Sequence, residues 1–148
     1  MTRSYIGSEL ELFAAATNWK AYFSSVLAPF IGARVLEIGA GIGSNIPFLY
    51  TPAVRRWTSV EPDPDLARRI AERITLGELP ESCRVLVGTI ESIDETSRFN
   101  TVSTSTCSST SQTTLRNLTM PPVGFVKFTF SAPGTVASGT QISRVSDR

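Results

Sequence analysis

Arg34-Val35-Leu36-Glu37-Ile38-Gly39-Ala40-Gly41-Ile42-Gly43 is the stretch that decides the fold. An apolar run holding one acid breaks into glycine at every second position. Val35, Leu36 and Ile38 suit a strand covered on both faces. Gly39, Gly41 and Gly43 have no Cβ, so the backbone can turn sharply and a ligand can come close to it. Ser44 and Asn45 follow, both good residues for opening a helix. A strand, a glycine loop and a helix start in that order predict a nucleotide-binding corner.

The spacing narrows the choice. A dinucleotide fingerprint, G-x-G-x-x-G, would put its third glycine at position 44, where this chain has Ser44. Glu37 lies two residues before the first glycine; a carboxylate there repels a pyrophosphate and favours an ammonium group. A second strand, Trp57-Thr58-Ser59-Val60-Glu61, ends in an acid and is followed by Pro62-Asp63-Pro64. Glu61 stands eighteen positions after Gly43, near the ~20-residue offset at which an acid meets a ribose. A third piece, Arg84-Val85-Leu86-Val87-Gly88-Thr89-Ile90-Glu91, reads as a strand and its loop. The β-α-β-α-β order is the signature of a parallel sheet.

These three pieces resemble the class I S-adenosylmethionine (SAM)-dependent methyltransferases over roughly residues 5–102. The resemblance implies an α/β fold, a Rossmann-like parallel sheet of the class I methyltransferase type, incomplete at its C-terminal side. It implies SAM as the cofactor and no metal. Gly39, Ala40, Gly41 and Gly43 would shape the donor site, with Glu37 toward the methionine end. Glu61 and Pro62 would lie at the ribose, and Thr89 and Ile90 at the adenine; the family often has Asp where this chain has Thr89. Plainer roles stay open for both acids: Glu37 can hold loop amides, and Glu61 can cap a loop or meet an arginine. The implied reaction is methyl transfer to an unidentified acceptor, expected to be a small molecule, with the chain holding donor and acceptor in line and excluding water. An acceptor-activating base would come from the fourth strand onward, so no catalytic residue is named and the chain is expected to be a fragment with impaired activity, little or no turnover. Two other classes stand beside this one: an NAD(P)-binding oxidoreductase on a related sheet, and a non-catalytic SAM-binding module.

Composition sets the outer bounds. A chain of 148 residues makes at most one ordinary domain, and 41% hydrophobic residues can fill its core. A net charge of +1 argues against a nucleic-acid footprint. No stretch is apolar for the ~20 residues a membrane span needs, and no signal-type segment follows Met1, so the cytoplasm is expected. Cys83 and Cys107 form no ligand-spaced pair, and the chain has no histidine.

Three helices are expected. Residues 9–30 carry Leu12, Ala16, Trp19, Phe23, Val26, Leu27 and Phe30 on one face. A short helix spans 44–50, and a longer one is capped by Asp63, opened by Pro64 and ended by Gly77. Leu66, Ala67, Ile70, Ala71 and Ile74 form its apolar stripe; Asp65 with Arg69 and Arg68 with Glu72 are spaced to pair.

The chain changes character after Val102. Residues 1–102 hold 17 Ser/Thr and 12 acids, whereas residues 103–148 hold 18 Ser/Thr and one acid, Asp147. The expected division is a partial SAM-binding core, 1–102, and a Ser/Thr-rich aberrant or poorly ordered tail, 103–148. A fourth strand begins within 98–102 and is expected to dissolve into the Ser/Thr run. One nucleotide restored after Val102 allows the string from 102 to read V-V-Y-I-D-V-L-E, a strand of the kind the family carries there, so a frame slip is one account of the tail. Val123 to Phe130 could still make a strand by composition.

Overall fold

β-Branched and apolar residues build the strands, and amphipathic runs between them build the crossovers. The computed structural model describes residues 11, 14, 15, 17–94, 97–106, 125–131 and 143–145. Helix α1 covers Thr17–Leu27 and passes into a 3-10 turn at Ala28–Phe30. Then come β1 (Arg34–Ile38), α2 (Ile46–Leu49), β2 (Arg56–Glu61), α3 (Pro64–Thr75) and β3 (Cys83–Val87). After a 3-10 turn at Ile90–Ser92 follow β4 (Thr101–Thr106), β5 (Phe125–Ser131) and β6 (Ser143–Val145). The sheet order is β3-β2-β1-β4-β5-β6. Neighbours from β3 through β5 are parallel, and β6 is antiparallel to β5. The expected Rossmann-like parallel sheet is therefore present, and its order reverses beside β1, which is where open α/β sheets hold their ligands.

Two apolar clusters sandwich the sheet. On one face Val35, Trp57 and Cys83 pack with Phe23 and Leu27 of α1, Ile46 and Leu49 of α2 and Ile70 of α3. On the other, Leu36, Ile38, Val60 and Val102 pack with Ile90, Ile93 and Phe99. Alternation along each strand assigns the faces: Val35 and Glu37 share one, Leu36 and Ile38 the other.

Helix α3 follows its sequence closely. The Asp63 carboxylate accepts from the amides of Asp65 (2.9 Å) and Leu66 (3.4 Å). Arg68 pairs with Glu72 at 2.8 Å, but Asp65 pairs with Arg68 and Arg69 reaches Glu11 at 3.2 Å, in place of the expected Asp65–Arg69 pair. Ala67 and Ile70 are buried, whereas Ala71 is exposed.

Helix α1 is turned from its expected orientation. Lys20, Phe23 and Leu27 form its buried stripe, while Trp19 and Val26 are 43% and 42% exposed. Trp19 stacks on Phe23 with ring centroids 5.1 Å apart, and Lys20 points its ammonium at polar atoms of the glycine loop. Helix α2 covers Ile46–Leu49 rather than 44–50, with Asn45 at its N-cap.

The fourth strand continues through the Ser/Thr run to Thr106 instead of stopping near Val102. Ladder hydrogen bonds come from the backbone, so polar side chains do not prevent pairing with β1 and β5. Phe125–Ser131 is a strand in the sheet, as the composition of 123–130 allowed. Residues 107–124, 132–142 and 146–148 of the expected tail, and Leu12, Phe13 and Ala16 of the first helix, lie outside the described residues. Among the described residues no helix is long and apolar enough to cross a membrane.

Candidate cofactor site

The loop after β1 turns through three left-handed glycines, with φ of 71° at Gly39, 59° at Gly41 and 71° at Gly43. A side chain at Gly41 would be strained there. At Gly43 space adds a second demand: a Cβ would lie 3.2 Å from Ile70 and 3.3 Å from Ile46, so the glycine lets α2 and α3 close on the loop. The loop is sewn to β2 by the Gly39 amide, which donates to the Val60 carbonyl at 2.9 Å.

Glu61, the last residue of β2, meets this loop directly. One carboxylate oxygen accepts from the Gly41 amide at 2.7 Å and the other from the Asp63 amide at 3.0 Å. Burial pushes its pKa up; the two amides, Asp63 first, pull it back, and the Asp63 charge adds to the rise. A carboxylate has about four lone-pair sites, so two stay available to hydroxyl donors. The β3 loop joins the same end of the sheet, where the Gly88 amide donates to the Glu61 carbonyl at 2.9 Å.

Glu37 bonds neighbouring side chains rather than the loop amides expected of its plainer role. It is fully buried beneath the loop, on the face shared with Trp57 and Ser59. Its carboxylate accepts from the Trp57 indole and the Ser59 hydroxyl, both at 3.2 Å, and from the Asn45 side-chain amide at 3.4 Å. Burial raises its pKa to about 7, against the pull of those donors and of Lys20. A closed carboxylate of this kind anchors Asn45, the residue that opens α2.

The other expected site residues divide. Gly39 is half-buried and Pro62 exposed at the strand ends, while Ala40, Gly41 and Gly43 are buried in the loop. Thr89 is exposed, but its hydroxyl donates to Glu91 at 2.6 Å. Ile90 packs into the apolar cluster with Leu36, Ile38 and Val60. The structure thus brings the glycine loop, Glu61, Pro62 and the Gly88–Thr89 loop to one end of the sheet, with Glu37 below.

Two residues that sequence reasoning missed hold the loop from the helix side. Arg73 donates to the Ile42 carbonyl at 2.9 Å, and Lys20 donates to the Ser44 hydroxyl at 2.8 Å. Lys20 had a signal: it shares the helical face of Phe23 and Leu27, and a lone cation on an apolar stripe marks a buried charge with work to do.

Solved structures share this fold. A SAM-dependent methyltransferase from Thiobacillus denitrificans, in complex with S-adenosyl-L-homocysteine, matches with a TM-score of 0.60 at 14% identity. A protein of Escherichia coli assigned as a methyltransferase, yhhF, matches with a TM-score of 0.68 at 14% identity. The fold is the Rossmann-like methyltransferase fold. The match covers 78% of this chain and 48% of the T. denitrificans chain, and 89% of this chain and 86% of the E. coli chain. A Galdieria sulphuraria protein assigned as a sarcosine dimethylglycine methyltransferase matches at 0.58 and 18% identity, over 76% of this chain and 44% of its own. The chain therefore spans about half the length of two of these relatives in fold. No family model and no curated protein matches the sequence.

Proposed function

We propose that the crevice at the carboxyl ends of β1 and β2 binds SAM and that the chain belongs to a methyl-transferring enzyme. The observation that carries this is Glu61: a buried carboxylate at the tip of β2, touching the Gly41 amide, with lone pairs left over. A ribose diol is the matching donor for such a group, and two hydroxyls on one carboxylate make charge-assisted hydrogen bonds. Gly39, Gly41 and Gly43 give a bare backbone for the methionine portion to lie against. Pro62 and the Gly88–Thr89 loop flank the sugar and base end. Bound there, SAM supplies a methyl group on a sulfonium, ready for attack by a nucleophile.

The chain's own residues bind and orient. Glu61 fixes the sugar, and the loop fixes the amino-acid end. Glu37 acts from beneath, by holding Asn45 and the Trp57 indole. Ile90 serves the core under the base rather than the base itself, and Thr89 shapes the loop beside it, its hydroxyl engaged by Glu91 and its amide and carbonyl by Ser92. The acceptor is proposed to be a small molecule, because a net charge of +1 gives no broad attraction for a polyanion.

An NAD(P) site is disfavoured on two counts: Ser44 stands where the pyrophosphate fingerprint needs glycine, and the solved chains described above that share the fold are assigned as methyltransferases. Calorimetric titration of the full chain with S-adenosylhomocysteine and separately with NAD tests the choice. Saturable heat with the first and none with the second is expected; the reverse would assign the crevice to a nicotinamide cofactor.

A further inference from the structure

We infer that Lys20 and Arg73 are positioning residues for the cofactor loop, two cations from two helices that grip the carbonyls of residues 42–44 and hold the loop in its ligand-ready shape. The inference rests on the proposed SAM site, although the grip itself is a property of the free chain.

The left-handed glycines sort the loop's polar groups. The Gly39 and Gly41 amides turn toward β2 and are taken by the Val60 carbonyl and the Glu61 carboxylate. The carbonyls of Ile42, Gly43 and Ser44 turn toward the helices. Arg73 of α3 donates from one guanidinium nitrogen to Ile42 at 2.9 Å and to Gly43 at 3.4 Å. Its Nε pairs with Glu78 at 3.0 Å, which fixes the plane of the guanidinium. Lys20 of α1 donates to the Ser44 carbonyl at 3.3 Å and to the Ser44 hydroxyl at 2.8 Å. The loop is thus held by β2 on one side and by two cations on the other.

Lys20 is a costly residue to place there. It is 1% exposed on a stripe where leucine would pack beside Phe23 and Leu27 without desolvating a charge. Part of that cost is offset by the Phe48 ring of α2, 5.6 Å from the ammonium. Among the described residues, charged groups acting on it are Glu37 of β1 and Arg73 of α3. Burial lowers the Lys20 pKa to about 8, with Glu37 raising it and Arg73 lowering it further. A neutral amine is a weaker donor than an ammonium, so the grip slackens above pH 8. Fold stability moves the other way: a lysine whose folded pKa is depressed costs less once it deprotonates, so stability gains as pH rises from about 8 toward 10.5. A purely structural lysine would not separate those two trends.

Amide hydrogen exchange on the full chain without ligand, together with titration by S-adenosylhomocysteine, tests this. Lys20→Met and Arg73→Met are each expected to lose about tenfold protection at the amides of Gly41, Gly43 and Ile46, with Val60 unchanged. Wild type is expected to bind S-adenosylhomocysteine about fivefold more weakly at pH 9.5 than at pH 7.5. Lys20→Arg, which keeps its charge, is expected to show no such loss, and it serves should Lys20→Met fail to fold. Wild-type protection and affinity in both methionine variants would overturn the grip, as would an alkaline loss in Lys20→Arg equal to that of wild type. Loss of loop protection in a chain that binds no S-adenosylhomocysteine would support the grip and overturn the cofactor instead.

Discussion

β1 and β4 lie side by side, each between two parallel partners, yet they are written in different chemistries. β1 reads Arg-Val-Leu-Glu-Ile and β4 reads Thr-Val-Ser-Thr-Ser-Thr. Each sets one buried polar side chain at the same level of the sheet, because Glu37 and Ser103 are register partners. Glu37 finds three donors, Trp57, Ser59 and Asn45. The Ser103 hydroxyl, 1% exposed, has no partner among the described residues. A buried polar group is tolerable when its neighbours were chosen for it. At that level β1 is fitted to its surroundings, whereas β4, tied at its start by the Thr101 hydroxyl, carries a side chain that nothing among the described residues answers. The frame-slip account gives valine at 103, the kind of residue a doubly covered strand calls for.

The largest expected effect breaks the fitted side. Glu37→Ala removes the acceptor that the Trp57, Ser59 and Asn45 side chains share and should cost about 3–5 kcal/mol in chemical denaturation. A cost below about 1 kcal/mol would mean that the network under the loop contributes little.

Titration of the same residue comes next. The folded chain holds the Glu37 proton up to about pH 7, whereas the ordinary value is 4.5. Unfolding therefore releases a proton between those values, and stability falls as pH rises through that window. Glu61, also shifted upward, adds to the slope with the same sign. Glu37→Gln should flatten most of it; an unchanged slope would place the titration elsewhere.

Trp57→Phe removes one of the three donors and keeps most of the apolar bulk, so about 1–2 kcal/mol is expected. On the unanswered side the sign reverses. Ser103→Val deletes the orphan hydroxyl and adds a β-branched residue to a central strand, for a gain of about 1 kcal/mol. A loss of that size would show that Ser103 has a partner after all and would erase the contrast with β1.

Much of this was legible in the chain itself. The positive φ at Gly39, Gly41 and Gly43, the Asp63 cap with Pro64 behind it, and the acid at the tip of β2 all follow from local chemistry that residue identity dictates. Local rules do not set what happens across elements. Glu37 could equally have faced a ligand or the core, and only the packing of Trp57 and Asn45 around it decides for the core. The periodicity of α1 marks an apolar face but does not fix its rotation, so it points Trp19 inward where the fold buries Lys20 instead. β4 was cut short because polar side chains argue against a buried strand, while ladder bonds do not consult them.

Glu61 and the glycine loop are proposed to form one cofactor crevice, and the affinity of Glu61→Ala for S-adenosylhomocysteine is the sharpest test of that. Calorimetry should find binding weaker than wild type by about 1–3 kcal/mol, the loss of charge-assisted hydrogen bonds to the sugar, in a variant that still melts cooperatively. Equal affinity in variant and wild type would contradict the claim and remove Glu61 from the site.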